Sequence, residues 1–135
     1  MAKYVGILLI AAVLAPAQAR AGWEYVGESA SGSVFIMDTS TKRQQGKYTL
    51  VWTGLEFPEG ELINGKRFSS VRALDVYDCS DYRFGTKTEV YYTGKAGSGD
   101  VVHSVSMDMD KVKFMDVVPN TMAETMLKKA CSKAK

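Results

Sequence analysis

From residue 23 onward, apolar and polar side chains alternate with period 2, and glycine-containing turns interrupt the alternation at intervals typical of an antiparallel sheet. Seven segments carry this pattern. Residues 23–28 come first, and the Ser-Ala-Ser-Gly turn at 29–32 leads into 34–38 as a hairpin would. Residues 39–46 are polar and are expected to form a loop. In residues 47–57, Tyr48, Leu50 and Trp52 alternate against Thr49, Val51 and Thr53, which predicts one buried face. Pro58 has no N–H to extend the ladder, so residues 59–66 read as a polar connection that turns at Asn64-Gly65. Strands are predicted at 68–79 and 82–93, a flexible turn at 95–99, and strands at 101–109 and 112–118.

After Pro119 the period changes. Thr121-Met122-Ala123-Glu124 has the form of a capping box, in which the threonine and glutamate side chains satisfy free N–H groups at a helix start. Met122, Met126 and Ala130 recur every four residues, and Ala123, Leu127 and Cys131 form a parallel row beside them. Such a stripe needs a partner surface, and the sheet is the only large one available. The pattern therefore predicts an α+β fold, with a single antiparallel β-sheet of about six strands packed against a C-terminal α-helix.

The chain has 135 residues, 46% hydrophobic and 24% charged, which suits one compact core and excludes collagen-like, low-complexity and disordered classes. A formal net charge of +2 does not call for a nucleic-acid partner, which usually meets a dense basic face. The N-terminus adds a targeting signal. Lys3, an apolar run over residues 5–15 and the small residues of Ala17-Gln18-Ala19 match a secretory leader over residues 1–19, leaving a domain at 20–135. Cleavage after Ala21 is the second choice. The apolar run is shorter than the roughly 18 residues that a bilayer span requires, so no transmembrane segment is expected after cleavage.

Cys79 and Cys131 are the two cysteines, and an even count in an exported chain argues for a disulfide formed in an oxidising compartment. A metal pair or a redox site fits less well, because there is no Cys-x-x-Cys spacing and no further thiol to complete a cage.

Little else points to chemistry. His103 is the only histidine, and no serine sits in a Gly-x-Ser-x-Gly elbow, so no catalytic set and no cofactor is expected. Asp75, Asp78 and Asp81 bracket Cys79 without the spacing of a calcium loop, and they read as solvated strand-end charges. On a strand from 101 to 109, His103, Met107 and Met109 would share a face, and imidazole with thioethers is a ligand set suited to Cu(I). Val101 and Val105 fall on that same face, so the methionines also read simply as packing residues. Lys128, Lys129, Lys133 and Lys135 form a basic end that could meet a polyanion or remain solvated.

Taken in order, several segments resemble the surface-adhesin protein E family of small exported bacterial domains. They are Trp23, the run Val34-Phe35-Ile36-Met37-Asp38 with Thr39-Ser40 and Arg43, Lys47 to Trp52, Asp78-Cys79, Tyr91-Tyr92, and Val118-Pro119-Asn120-Thr121 before the helix. Phe114 stands where the family often has tryptophan. The resemblance implies an antiparallel sheet, a C-terminal helix and a disulfide. It also implies a non-enzymatic binding module at the periplasm or cell surface, since the family's best-known member binds host extracellular-matrix and plasma proteins. Partners would be host matrix proteins or envelope proteins, and edge-strand pairing would allow a homodimer. The alternative is a periplasmic small-ligand or copper-binding domain that uses His103, Met107 and Met109.

Overall fold

A computed structural model of the chain describes residues 22–133. The leader expected at residues 1–19, its cleavage site and Lys135 lie outside the described residues. No helix among the described residues is long and apolar enough to cross a membrane.

The period-2 segments form one antiparallel sheet in simple meander order. Its strands are β1 (Trp23–Glu28), β2 (Val34–Gln45), β3 (Tyr48–Ile63), β4 (Lys66–Asp78), β5 (Arg83–Tyr92) and β6 (Val101–Ser106), with the short β7 (Met115–Asp116) also paired to β5. Helix α1 (Met122–Cys131) follows the last strand. Its stripe buries Met126, Leu127 and Ala130 against Met37, Val51 and Tyr77 of the sheet. The opposite face has its own cluster, Leu50, Leu74, Val76 and Val112, packed by Trp52, Met107, Met109 and Phe114. The sheet is thus covered on both sides, by α1 on one and by residues 107–114 on the other.

Four predicted boundaries differ from those observed. The expected loop at 39–46 is the second half of β2, where Arg43, Gln44 and Gln45 pair with Leu50, Thr49 and Tyr48. Its side chains are polar because backbone pairing, rather than burial, holds it, and Gln44 Nε2 donates to Thr49 Oγ1 at 2.7 Å. The expected connection at 59–66 is the end of a long β3–β4 hairpin, turning at Asn64-Gly65 as predicted. Pro58 is tolerated because the β3–β4 register lapses between Glu56 and Glu61, where no N–H is required. Strand β6 stops at Ser106, and the expected strand at 112–118 contracts to Met115–Asp116, because residues 107–114 leave the ladder to cross the sheet. Gly85 permits this crossing, since a Cβ there would lie 2.6 Å from Val112 Cγ1 and 2.7 Å from the Lys113 carbonyl.

The helix begins as expected, with Thr121 Oγ1 accepting from the Glu124 N–H at 3.4 Å. The Glu124 carboxylate reaches back to the Asn120 N–H at 3.3 Å. Cys131 and Cys79 form a disulfide with their Cα atoms 5.8 Å apart, fastening the last turn of α1 to the loop after β4.

Candidate functional site

The first turn of α1 and the far half of the sheet enclose a trough of about 540 Å³. Leu55 and Phe57 from β3, Phe68 and Val71 from β4, and Tyr91 from β5 form its sheet wall, and Met122 and Met126 overhang it from α1. Successive aromatic rings meet edge to face across neighbouring strands: Phe57 with Phe68 at 5.2 Å, Phe68 with Tyr91 at 5.0 Å, and Tyr91 with His103 at 5.3 Å between centroids. This geometry is favoured because a ring's positive edge meets the negative face of its neighbour.

Asp75 lines the floor. Alternation along β4 turns it to the helix side of the sheet, and a bulge in the β4–β5 register sets it opposite Thr86. Its carboxylate accepts hydrogen bonds from Thr86 Oγ1 at 2.8 Å, Thr53 Oγ1 at 2.8 Å and Tyr77 OH at 3.4 Å. Among the described residues no lysine or arginine lines the trough, whose other acid is Glu89, an acceptor from Tyr91 OH at 3.0 Å. Burial pushes the Asp75 carboxyl up, the three hydroxyls pull it back in part, and the Glu89 charge adds to the rise. Burial also pushes the Tyr91 phenol up to about 12.

The acid three residues further on is treated differently. Asp78 is fully buried, yet Arg83 Nη2 lies 2.8 Å and Lys47 Nζ 3.1 Å from its carboxylate, and Ser80 Oγ donates at 3.0 Å. The Arg83 guanidinium, aided by the Asp81 N–H and Lys47, holds Asp78 well below the usual carboxylate range. Of the three acids expected to be solvated, only Asp81 is exposed. Asp75 and Asp78 are buried because strand pairing carries both into the covered part of the sheet.

A second groove, about 570 Å³, lies against Trp23, Ile36, Glu56, Pro58 and Arg72. Two of its charges, Arg72 and Glu56, are matched to each other. The Arg72 guanidinium lies 4.7 Å from the Trp23 ring centre and 2.9 Å from the Glu56 carboxylate, which also accepts from the Ala96 N–H at 3.0 Å.

The Cu(I) candidates do not converge. His103 pairs with Tyr91 on the helix side, whereas Met107 and Met109 pack into the Leu50–Val112 cluster on the other face. The shared-face expectation required β6 to continue to residue 109, and it ends at Ser106. Among the described residues, no group of three or more His, Cys, Asp or Glu side chains is placed to hold a metal ion. The basic end is partly committed to structure. Lys129 Nζ pairs with Glu24 at 2.6 Å, and Lys42 Nζ donates to the Lys129 carbonyl at 2.6 Å at the helix terminus. Lys128 pairs with Glu124 at 3.4 Å.

Outside the trough, the edge strands of the sheet among the described residues are β1, β6 and the short β7. Tyr25 is exposed on β1, Val101 and Val105 are exposed on β6, and Leu62 is 64% exposed near the tip of the β3–β4 hairpin.

A model of the family described as surface-adhesin protein E matches residues 23–132, which is nearly the whole described chain. The chain belongs to the surface-adhesin protein E family. Solved structures of Haemophilus influenzae protein E share the family fold. A second crystal form of that protein superposes with a TM-score of 0.62 at 14% identity, covering 86% of this chain and 91% of that one. Its selenomethionine form gives 0.60 at 15% identity, with coverage of 86% and 90%. Protein E from a non-typeable strain gives 0.54 at 16% identity, with coverage of 85% and 76%. A search of the curated proteins finds no match. The trough is not expected from the sequence, in which Asp75 reads as a solvated strand-end charge. The available signal was an aspartate inside the short apolar stretch Ala73–Tyr77, flanked by Leu74 and Val76.

Proposed function

We propose that this protein is an exported, non-enzymatic binding module that acts at the cell surface by recognising other proteins. Membership of the surface-adhesin protein E family over residues 23–132 is the observation that carries this reading. Export is supported by the leader signature at residues 1–19, and the disulfide suits an oxidising compartment. Recognition would use surfaces outside the core. Free strand edges offer unpaired backbone groups to a partner strand, and Leu62 gives the projecting hairpin an apolar anchor. The partner class is host extracellular-matrix protein.

Surface plasmon resonance over immobilised extracellular-matrix proteins tests the reading. Saturable binding that weakens about tenfold or more in Leu62→Asp supports it, since a buried apolar anchor carries at least that much affinity. Absence of saturable binding to matrix proteins overturns the adhesive role. Export is checked separately, by an intact mass that begins at Arg20 and by surface labelling of whole cells.

A further inference from the structure

The trough under the first turn of α1 has features that protein recognition at the surface does not use. It is far larger than a packing defect, and its volume of about 540 Å³ falls within the range of about 300–1,000 Å³ typical of small-molecule sites. Its walls are aromatic and aliphatic, and three hydroxyls converge on one carboxylate. We propose that the trough binds a small amphiphilic amine, with the protonated nitrogen on the Asp75 carboxylate and an apolar chain or ring along Phe57, Phe68 and Tyr91.

Charge complementarity selects this ligand class. Asp75 is nine-tenths buried, and no cationic side chain among the described residues lines its trough. Asp78, on the same strand and equally enclosed, has two cations of its own, so this fold does neutralise a buried carboxylate where neutralisation serves only structure. At Asp75 that position is left to a visitor. Three hydroxyl donors occupy part of the carboxylate's accepting capacity and fix its orientation, leaving room for one more donor. A fatty acid or other anion would meet both Asp75 and Glu89 without a compensating base. A bare divalent cation would find one carboxylate whose neighbouring hydroxyls point hydrogens, not lone pairs, toward it. An ammonium group also gains from aromatic faces, which an uncharged ligand does not.

The test compares three probes of equal shape, 4-phenylbutylamine, 4-phenylbutanol and 4-phenylbutanoate, by calorimetry and by amide NMR shifts on the exported protein. The amine binds saturably and shifts the amides of Ala73, Asp75, Thr86 and Met122. The alcohol binds about tenfold or more weakly, the difference expected of a charge-assisted hydrogen bond in a dry site, and the acid does not bind. Asp75→Asn removes the preference for the amine over the alcohol. Ala73→Leu fills the trough without altering charge and abolishes binding of both, so the result does not depend on the Asp75 variant folding. Equal affinity for the three probes, preference for the acid, no binding, or amine binding unchanged in either folded variant would each overturn the proposal. None of these outcomes bears on attachment to matrix proteins, which uses other surfaces.

Discussion

At its C-terminal end α1 is held by the Cys79–Cys131 disulfide, by the Lys42 cap and by the Lys129–Glu24 ion pair, whereas at its N-terminal end a Tyr82–Glu124 hydrogen bond ties it down and Met122 and Met126 overhang an open trough. Each end lies close to a buried carboxylate of β4. Asp78, next to Cys79, is neutralised by Arg83 and Lys47, and Asp75, under Met126, receives only hydroxyl hydrogen bonds. The difference shows how one strand serves two purposes. Covalent closure and matched charge fix the closed end, and unmatched charge with flexible thioethers leaves the open end adaptable.

The strongest way to break this contrast is to release the closed end. The disulfide closes a loop spanning 52 residues, and removing it in a Cys79→Ser/Cys131→Ser variant should cost up to about 4 kcal/mol in the loop-entropy model. Urea unfolding with and without reductant measures the loss. Next in size is Asp78→Asn, which leaves Arg83 and Lys47 without their shared acceptor. Because both cations are partly exposed and can be rehydrated, the expected cost is about 1–3 kcal/mol, read from the same unfolding curves. At the open end, Thr121→Ala removes the helix N-cap and should cost about 1 kcal/mol. Hydrogen exchange should rise in the first turn of α1 and remain unchanged near Cys131.

The smallest effect, and the most discriminating, is that of Asp75→Asn, within about 1 kcal/mol at neutral pH. Its sign comes from the direction of each acid's shift. Asp78 is held below its ordinary value of 3.8, so its contribution is complete above that value and is lost as pH falls through the native value. Asp75 is held above 3.8, so its charge costs stability at neutral pH, and the cost fades as pH falls through the raised value toward 3.8. Asp78→Asn should therefore flatten the acid limb of the stability curve, while Asp75→Asn should be as stable as the parent protein or more so at neutral pH, losing that advantage toward acid. Identical pH profiles for the two variants would remove the distinction between the acids.

The main elements were legible in the chain because burial on one face writes period 2 into a strand and a 3.6-residue stripe into a helix. Leu50, Trp52 and the Met122–Ala130 row carry that signal directly. The second half of β2 escaped it, since Arg43 to Gln45 is held by backbone pairing and leaves no apolar mark. Pro58 suggested a stop because it cannot donate to a ladder, but it falls where the ladder already lapses. His103 and Met107 looked like neighbours because parity assumes that a strand continues, and only the tertiary path of residues 107–114 sends them to opposite faces. The trough was hidden for a related reason. Phe57, Phe68 and Tyr91 come from three strands, and only the register brings their rings together along the trough that Asp75 also lines.

The position of the second thiol in the chain bears on how this molecule matures. Cys131 follows every strand, so a polypeptide emerging N-terminus first presents its whole sheet before the later sulfur arrives. With two cysteines in the sequence, no wrong intramolecular partner exists, and the thiols need an oxidant but no isomerase to reshuffle them. Closure therefore cannot precede the emergence of the strands it clamps.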